Sequence, residues 1–283
     1  MPPPPPPASS SSSSSAAGGG DDPGRGAEAD LALALELADE ADSLTMARFR
    51  ASDLAVDAKP DRTPVSEADR AVEAALRRHL AASRPGHAVL GEEEGHDRGA
   101  ETGWQWVVDP IDGTGNYVRG VPVWATLVAL KHHGATVVGV VSAPALARRW
   151  WASTGRGAFA DGSPIRVSAV ASLDDAFLAY DDVTEWEGAG RADAFLALAR
   201  RCWRTRAFGD FWSHVLVAEG AVDVAAEPEV SVWDLAAVKL VVEEAGGRFS
   251  DLSGAPTDAG GSAVSTNGVL HDEVLAALRP RTG

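Results

Sequence analysis

Cysteine is nearly absent. Cys202 is the only one in 283 residues, so no intramolecular disulfide can form and nothing demands an oxidising compartment; a cytoplasmic location is expected. Cys202 lies in the helix-like run from Phe195 to Trp203, where a buried apolar role is expected rather than a nucleophilic one. Basic residues are also scarce. The 25 Lys and Arg face 41 Asp and Glu, for a net charge of −16. Such a chain is repelled by nucleic acid and by anionic membranes, and neither is expected as a partner. No uncharged apolar run reaches the roughly 18 residues of a membrane span. The N-terminus lacks the basic start and apolar core of a secretory signal. Residues 1–29 lack anything that could bury a core: Pro2 to Pro7, Ser9 to Ser15, then Ala16-Ala17-Gly18-Gly19-Gly20. This low-complexity tail is expected to be disordered and is assigned no function.

The chain as a whole is 45% hydrophobic and 23% charged, as in an ordinary globular protein. From residue 30 it reads as two halves. In residues 30–170, a helix from Asp30 to Phe49 carries Ala34, Leu37, Ala41 and Leu44 at helical spacing. A short strand follows at Leu54 to Ala58, then a loop from Lys59 to Val65 marked by its prolines. A second helix opens at Ser66, and strands are expected at 88–94, 123–131, 136–141, 150–153 and 157–159. The polar segment from Gly95 to Gly103 reads as a mobile loop, and His132 and His133 fall at an exposed turn. This half suggests an antiparallel sheet with two helices packed on it. In residues 171–283 strands and helices alternate (177–180, 191–203, 204–208, 211–219, 222–227, then a helix from Trp233), which argues for an α/β layer.

The two halves meet in meaning at Trp106-Val107-Val108-Asp109-Pro110-Ile111-Asp112-Gly113-Thr114-Gly115-Asn116-Tyr117. Trp106 to Val108 reads as a buried strand. Pro110 fixes its own φ and pushes Asp109 toward an extended backbone, so the chain leaves the strand at a set angle and the two Asp carboxylates can converge. Gly113 permits a close backbone approach, and Thr114 adds a hydroxyl. Two oxygen ligands beside free backbone N–H groups suit a hard cation and a phosphate. Asp112-Gly113 alone is also a common turn pair. Elsewhere, Ser66 and Asp69 fit a capping box. Gly91-Glu92-Glu93-Glu94 ends a strand in acids, which by itself reads as a solvated loop. Asp234 sits in the first turn of the Trp233 helix, where an acid favours the helix dipole.

Taken together, D-P-I-D-G-T-x-N-[FY], the G-E-E after a strand, and W-D-x-A-A ending in Glu244-Ala245-Gly246-Gly247 resemble the inositol-monophosphatase family of metal-dependent phosphomonoesterases. Gly115 stands where Lys is common and Tyr117 where Phe is common. The resemblance implies an α+β and α/β chain folded as a layered α-β-α-β-α sandwich of the sugar-phosphatase superfamily, with one catalytic unit built from both halves. It implies two or three Mg²⁺ ions, with Mn²⁺ as a substitute. Glu92, Asp109 and the Ile111 carbonyl would hold one; Asp109, Asp112 and Asp234 a second; a weaker third would lie near Glu92. The all-oxygen donor set agrees with that choice of ion. Glu92 and a Thr114–Asp69 pair would position the attacking water, and the N–H groups of Gly113 and Thr114 would hold phosphate oxygens. The partner is a small-molecule phosphate ester, and a homodimer is expected.

The match is closest to the histidinol-phosphatase branch found in actinobacteria, on Arg119-Gly120-Val121-Pro122-Val123-Trp124, Gly139 to Leu146, Arg148-Arg149-Trp150-Trp151, Phe208-Gly209-Asp210-Phe211 and Ala226 to Asp234. That branch would cleave histidinol phosphate in histidine biosynthesis. Histidinol carries an ammonium and an imidazole, both able to be cationic, whereas inositol carries only hydroxyls. Asp210, where inositol phosphatases tend to have a small residue, and Glu227 are therefore candidate contacts to the leaving group. Arg206 matches a substrate-contacting Arg of relatives when the glycines are aligned. The alternatives are an inositol-1-phosphate or broad sugar-phosphate phosphatase, and a regulatory binding protein with incidental catalysis.

Overall fold

The computed structural model describes residues 23–60, 63–97 and 102–280. Residues 1–22 of the expected tail and part of the loop at 95–103 lie outside them. Helix α1 (Pro23–Arg48) begins at Pro23 rather than Asp30. Proline is tolerated in the first turn because the first N–H groups have no intrahelical acceptor. Asp30 thus lies inside the helix, where its carboxylate takes a bond from Arg84 Nη2 at 2.8 Å. Strand β1 (Val56–Ala58) pairs antiparallel with β2 (Pro64–Ser66), so the end of the expected proline loop is a strand. Then come α2 (Glu67–Ser83), β3 (Ala88–Gly91), β4 (Gly95–Asp97), β5 (Trp104–Asp112) and the short α3 (Thr114–Val118). A meander follows: β6 (Ala125–His132), β7 (Ala135–Ala143), β8 (Arg148–Ser153), β9 (Ala158–Ala160) and β10 (Ser163–Pro164). These form one eight-stranded sheet in the order β10-β9-β8-β7-β6-β5-β3-β4, antiparallel except where β3 pairs with β5.

The second half runs β11 (Phe177–Tyr180), α4 (Val183–Gly188), α5 (Ala192–Arg201), β12 (Arg204–Ala207), α6 (Asp210–Ala218), β13 (Val224–Glu227), α7 (Val232–Glu244), β14 (Arg248–Ser250), β15 (Ala263–Thr266) and α8 (His271–Ala277). Its five strands order as β12-β11-β13-β15-β14, with β11 parallel to both neighbours.

Burial explains the layering. Leu127 and Ala129 of β6 pack toward α6 and α7, while Val128 and Leu130 pack toward α1 and α2. The large sheet is covered on both faces, which is why its central strands read as unbroken apolar runs. Gly139 of β7 has no room for a side chain: a Cβ there would lie 2.8 Å from the Ala237 carbonyl oxygen. Helix α7 can therefore sit directly on the sheet. On the outer face of the small sheet, Leu178 and Val264 meet Trp186, Phe195 and Val274 of α4, α5 and α8. The layers are α1/α2, large sheet, α6/α7, small sheet, α4/α5/α8, the expected α-β-α-β-α sandwich. Cys202 packs against the last of these cores, and burial pushes its thiol up to about 11, where it is inert at neutral pH. No helix among the described residues is long and apolar enough to cross a membrane.

Candidate active site

Strand β5 does not leave the sheet after Val108 as expected. It stays paired to Asp112, but with a break in register. Asp109 faces Leu127 and Asp112 faces Ala125, so three steps along β5 match two along β6. One residue is bulged out. In a regular strand, residues three apart point to opposite faces; the extra residue returns Asp112 to the face of Asp109. Thr126 Oγ1 donates to the Pro110 carbonyl at 2.7 Å and secures the bulge. Asp109 accepts the Ile111 N–H at 2.9 Å, and Asp112 accepts the Phe211 N–H at 2.7 Å. Both carboxylates are buried, at 1% and 7% exposure.

Helix α7 brings Asp234 to them from the second half. Its Oδ2 accepts the Ser231 N–H at 2.8 Å in a capping box, so the helix-start role and the site role coexist. Asp109, Asp112 and Asp234 place ligand oxygens within 4.8 Å of one another. Burial, then the charges of Glu92, Asp112 and Asp234, push Asp109 well above the usual carboxylate range. Burial and the neighbouring Asp210 and Asp234 do the same to Asp112, and Asp234 is pushed up to about 7, chiefly by burial. Two buried acids and a partly buried third that resist ionisation together, all offering oxygen, fit a hard divalent cation.

Asp69 also serves two roles. It completes the capping box of α2, accepting Ser66 N–H at 2.8 Å, and its Oδ1 lies 3.0 Å from Thr114 Oγ1. Thr114 Oγ1 is also 2.8 Å from the Ile111 carbonyl. Gly113 turns the chain at φ 81° as the N-cap of α3. A Cβ there would meet Asp210 Oδ2 at 3.0 Å and the Val123 carbonyl at 3.1 Å, so glycine is required for conformation and for space.

A cleft of about 560 Å³ is lined by Glu92, Asp109, Ile111, Asp112, Gly113, Thr114, Asp210 and Asp234. Glu92 is not one of the three converging acids. Its Oε1 is bound by Lys59 Nζ at 2.7 Å, and the same ammonium holds Glu93 at 2.7 Å. No sequence motif marks Lys59; the one signal along the chain is a lysine in a loop ahead of a run of glutamates. Arg206 is not brought to the site. It lies exposed on β12, the edge strand of the small sheet, donates to Thr205 O, and lines neither this cleft nor its neighbour.

The neighbouring cavity, about 170 Å³, shares Asp112, Asp210 and Asp234 with the cleft. Asp181, Glu185, Glu227, Glu229 and His214 complete its polar lining, and among the described residues no lysine or arginine lines it. Burial followed by the charges of its neighbours pushes Asp181 up to about 6 and Glu185 up to about 7. Asp210 sits at φ 49°, a conformation aspartate tolerates, and Asn116 Nδ2 donates to it at 3.1 Å. Gly209 leaves room for Asp181, whose Oδ1 would lie 2.5 Å from a Cβ. His214 Nε2 lies 3.3 Å from Glu227 Oε2, while Glu227 Oε1 is buried with no hydrogen-bond partner among the described residues. Asp210 and Glu227 were expected here; Asp181, Glu185, His214 and Glu229 were not, because strand β11, two helices and a loop must fold together before they meet.

The profile of the inositol monophosphatase family matches residues 27–282. The chain is 59% identical to a histidinol-phosphatase of Mycobacterium tuberculosis, over 88% of this chain and 97% of that one. It is 55% identical to a histidinol-phosphatase of Streptomyces coelicolor, over 89% and 97%. The crystal structure of the extragenic suppressor protein SuhB from Bartonella henselae superposes with a TM-score of 0.84 at 28% identity, covering 89% of this chain and 99% of that one.

Proposed function

Because the chain belongs to the inositol monophosphatase family of metal-dependent phosphomonoesterases, we propose that it hydrolyses histidinol phosphate to histidinol and phosphate, with Mg²⁺ as its cofactor and Mn²⁺ as a substitute. The observation that carries this reading is the acidic cavity beside the metal-type acids. Cations bound by Asp109, Asp112 and Asp234 account for only part of its negative charge. A leaving group bearing an ammonium and an imidazole supplies the rest. Inositol would leave Asp181, Glu185 and Asp210 crowded without a counter-charge, which is costly for partly buried carboxylates.

Glu92, Asp109, Asp112, Asp234 and the Ile111 carbonyl would hold the cations, which when bound activate water, clamp the phosphate and offset charge on the departing alkoxide. The chain's own groups do the positioning. Thr114, its O–H donated to Asp69, keeps a lone pair free to accept from the attacking water, and Glu92 supports that water from the other side. Gly113 and Thr114 offer N–H groups to phosphate oxygens. The leaving alcohol then points into the acidic cavity, toward Asp210 and Glu227. Residues 30–170 and 171–283 act as one catalytic unit in this reading, since each supplies part of the acid cluster. A cytoplasmic homodimer completes it; light scattering on the purified protein reads the oligomeric state.

The test is phosphate release with Mg²⁺ from histidinol phosphate and from inositol-1-phosphate. Wild type is expected to prefer the former. Asp210→Ala is expected to lower kcat/KM for histidinol phosphate about 30-fold, the effect of losing about 2 kcal/mol from a buried charge contact, and to narrow the preference. Equal or reversed preference in wild type would overturn the assignment in favour of inositol or broad specificity.

A further inference from the structure

Glu92 sits on the tight turn between β3 and β4, with Glu93 and Glu94 beside it. Three adjacent carboxylates repel one another, so something must hold this turn against them. Lys59 does so from the side-chain face. The backbone face is held from helix α2. Glu73, 1% exposed, aims its carboxylate at the turn. Its Oε2 accepts the Glu93 N–H at 2.7 Å and its Oε1 the Glu94 N–H at 3.0 Å. Arg77, one helical turn on, donates Nε to Glu73 Oε1 at 2.9 Å and Nη2 to the Gly95 carbonyl at 2.6 Å. The glutamate and the arginine thus grip both ends of the same turn.

The sequence is adapted to this grip. Gly91, the residue before Glu92, does not have a positive φ, so glycine is not needed there for conformation. It is needed for space: a Cβ would lie 2.1 Å from Glu73 Oε1 and 2.3 Å from its carboxylate carbon. The Glu73 carboxylate occupies the volume a side chain at 91 would take. Glu73 is also four residues beyond Asp69, so one turn of α2 separates the acid bonded to Thr114 from the acid that seats the Glu92 turn.

We propose that Glu73 is a positioning residue: clamped by Arg77, it sets the β3–β4 turn so that Glu92 can serve as a cation ligand. The proposal rests on reading Glu92 as a ligand. Groups that orient ligands from behind typically change metal affinity about 10- to 100-fold when removed.

Glu73→Gln keeps the size but turns an amide NH₂ toward one of the two turn N–H groups. Gly91→Ala drives the same carboxylate away from the opposite side. The experiment measures Mn²⁺ binding by calorimetry on full-length wild type, both variants and Glu92→Gln, with circular dichroism as the folding check. It also measures the Mg²⁺ concentration for half-maximal phosphate release. Both variants are expected to bind Mn²⁺ about tenfold more weakly. They should need correspondingly more Mg²⁺, with kcat at saturating Mg²⁺ within a few-fold of wild type. Wild-type metal affinity in folded Glu73→Gln and Gly91→Ala, with affinity lost in Glu92→Gln, would overturn the positioning role alone. Wild-type affinity in Glu92→Gln would overturn the ligand reading and the proposal with it. If Glu73→Gln does not fold, Gly91→Ala decides; if neither folds, the clamp is structural and the proposal is wrong.

Discussion

Asp109→Asn is expected to lower kcat for phosphate release about a thousandfold at any Mg²⁺ concentration. The loss corresponds to about 4 kcal/mol of charge stabilisation in the transition state, within the several kcal/mol a bound cation supplies. Asp109 is the middle of the acid cluster: it is buried, belongs to the three acids within 4.8 Å, and feels the charges of Glu92, Asp112 and Asp234. Asparagine keeps the oxygen that accepts the Ile111 N–H, so the bulge in β5 should survive. The same change removes one of the mutually repelling charges. The metal-free variant should therefore melt higher than metal-free wild type at pH 8, and added Mg²⁺ should raise its melting temperature little. Activity within tenfold of wild type would remove Asp109 from the metal site. A lower melting temperature without metal would mean that repulsion among these acids is not a cost to the fold.

The second large effect is on stability. Without metal, the protein is expected to become less stable as pH rises from about 4 to about 7. Asp234 has a folded-state pKa of about 7, against about 3.9 for an unfolded aspartate. In that window the folded chain holds a proton that the unfolded chain has released. Stability then falls with rising pH, because the unfolded state binds fewer protons. Asp109, Asp112 and Asp210 are raised in the same direction by burial and like charge and add to the trend. The total is on the order of a few kcal/mol. A divalent cation reverses the sign, since it binds the ionised acids and displaces their protons. At 100 times its dissociation constant it contributes about 2.7 kcal/mol, a rise of about 5–10 °C in a chain of this size. That rise should be larger at pH 8 than at pH 5. Thermal melts at the two pH values, with Mg²⁺ and with chelator, measure both trends. A metal-free protein more stable at pH 8 than at pH 5 would contradict the argument.

Much of the site was legible along the chain because it lies in short runs. Asp109-Pro110-Ile111-Asp112-Gly113-Thr114 carries its two acids, its hydroxyl and its glycine within six positions, and Gly113 needs a positive φ in any fold that uses this turn. Asp69 and Asp234 were legible twice over, as helix-start acids and as members of the pattern, and the capping boxes at Ser66 and Ser231 are the local reason both readings hold. The alternation of elements made an antiparallel sheet with two helices and a following α/β layer legible, and the layered sandwich that joins them came from the family resemblance. Boundaries set by pairing were not legible. Pro64–Ser66 reads as a loop until Val56–Ala58 lies beside it, and β5 reads as ending at Val108 until β6 carries it through a bulge to Asp112.

Residue type and local spacing alone therefore determined the donor chemistry of this protein: oxygen ligands, no thiol chemistry, a phosphate-sized turn of backbone N–H groups. Those properties belong to single side chains and to dihedral preferences, which act over a few residues. The acidic cavity, the Lys59 hold on Glu92 and the grip of Glu73 on the β3–β4 turn were decided only by tertiary structure. Asp181, Asp210, Glu227 and Asp234 lie up to 53 positions apart in sequence, and nothing local makes like charges gather. Their proximity follows from packing α6 and α7 between two sheets, where apolar burial outweighs the repulsion and leaves it available to a cation. Arg206 makes the same point in reverse. The resemblance, with the glycines aligned, implies a substrate contact for it, and pairing at the edge of the small sheet leaves its side chain exposed on β12.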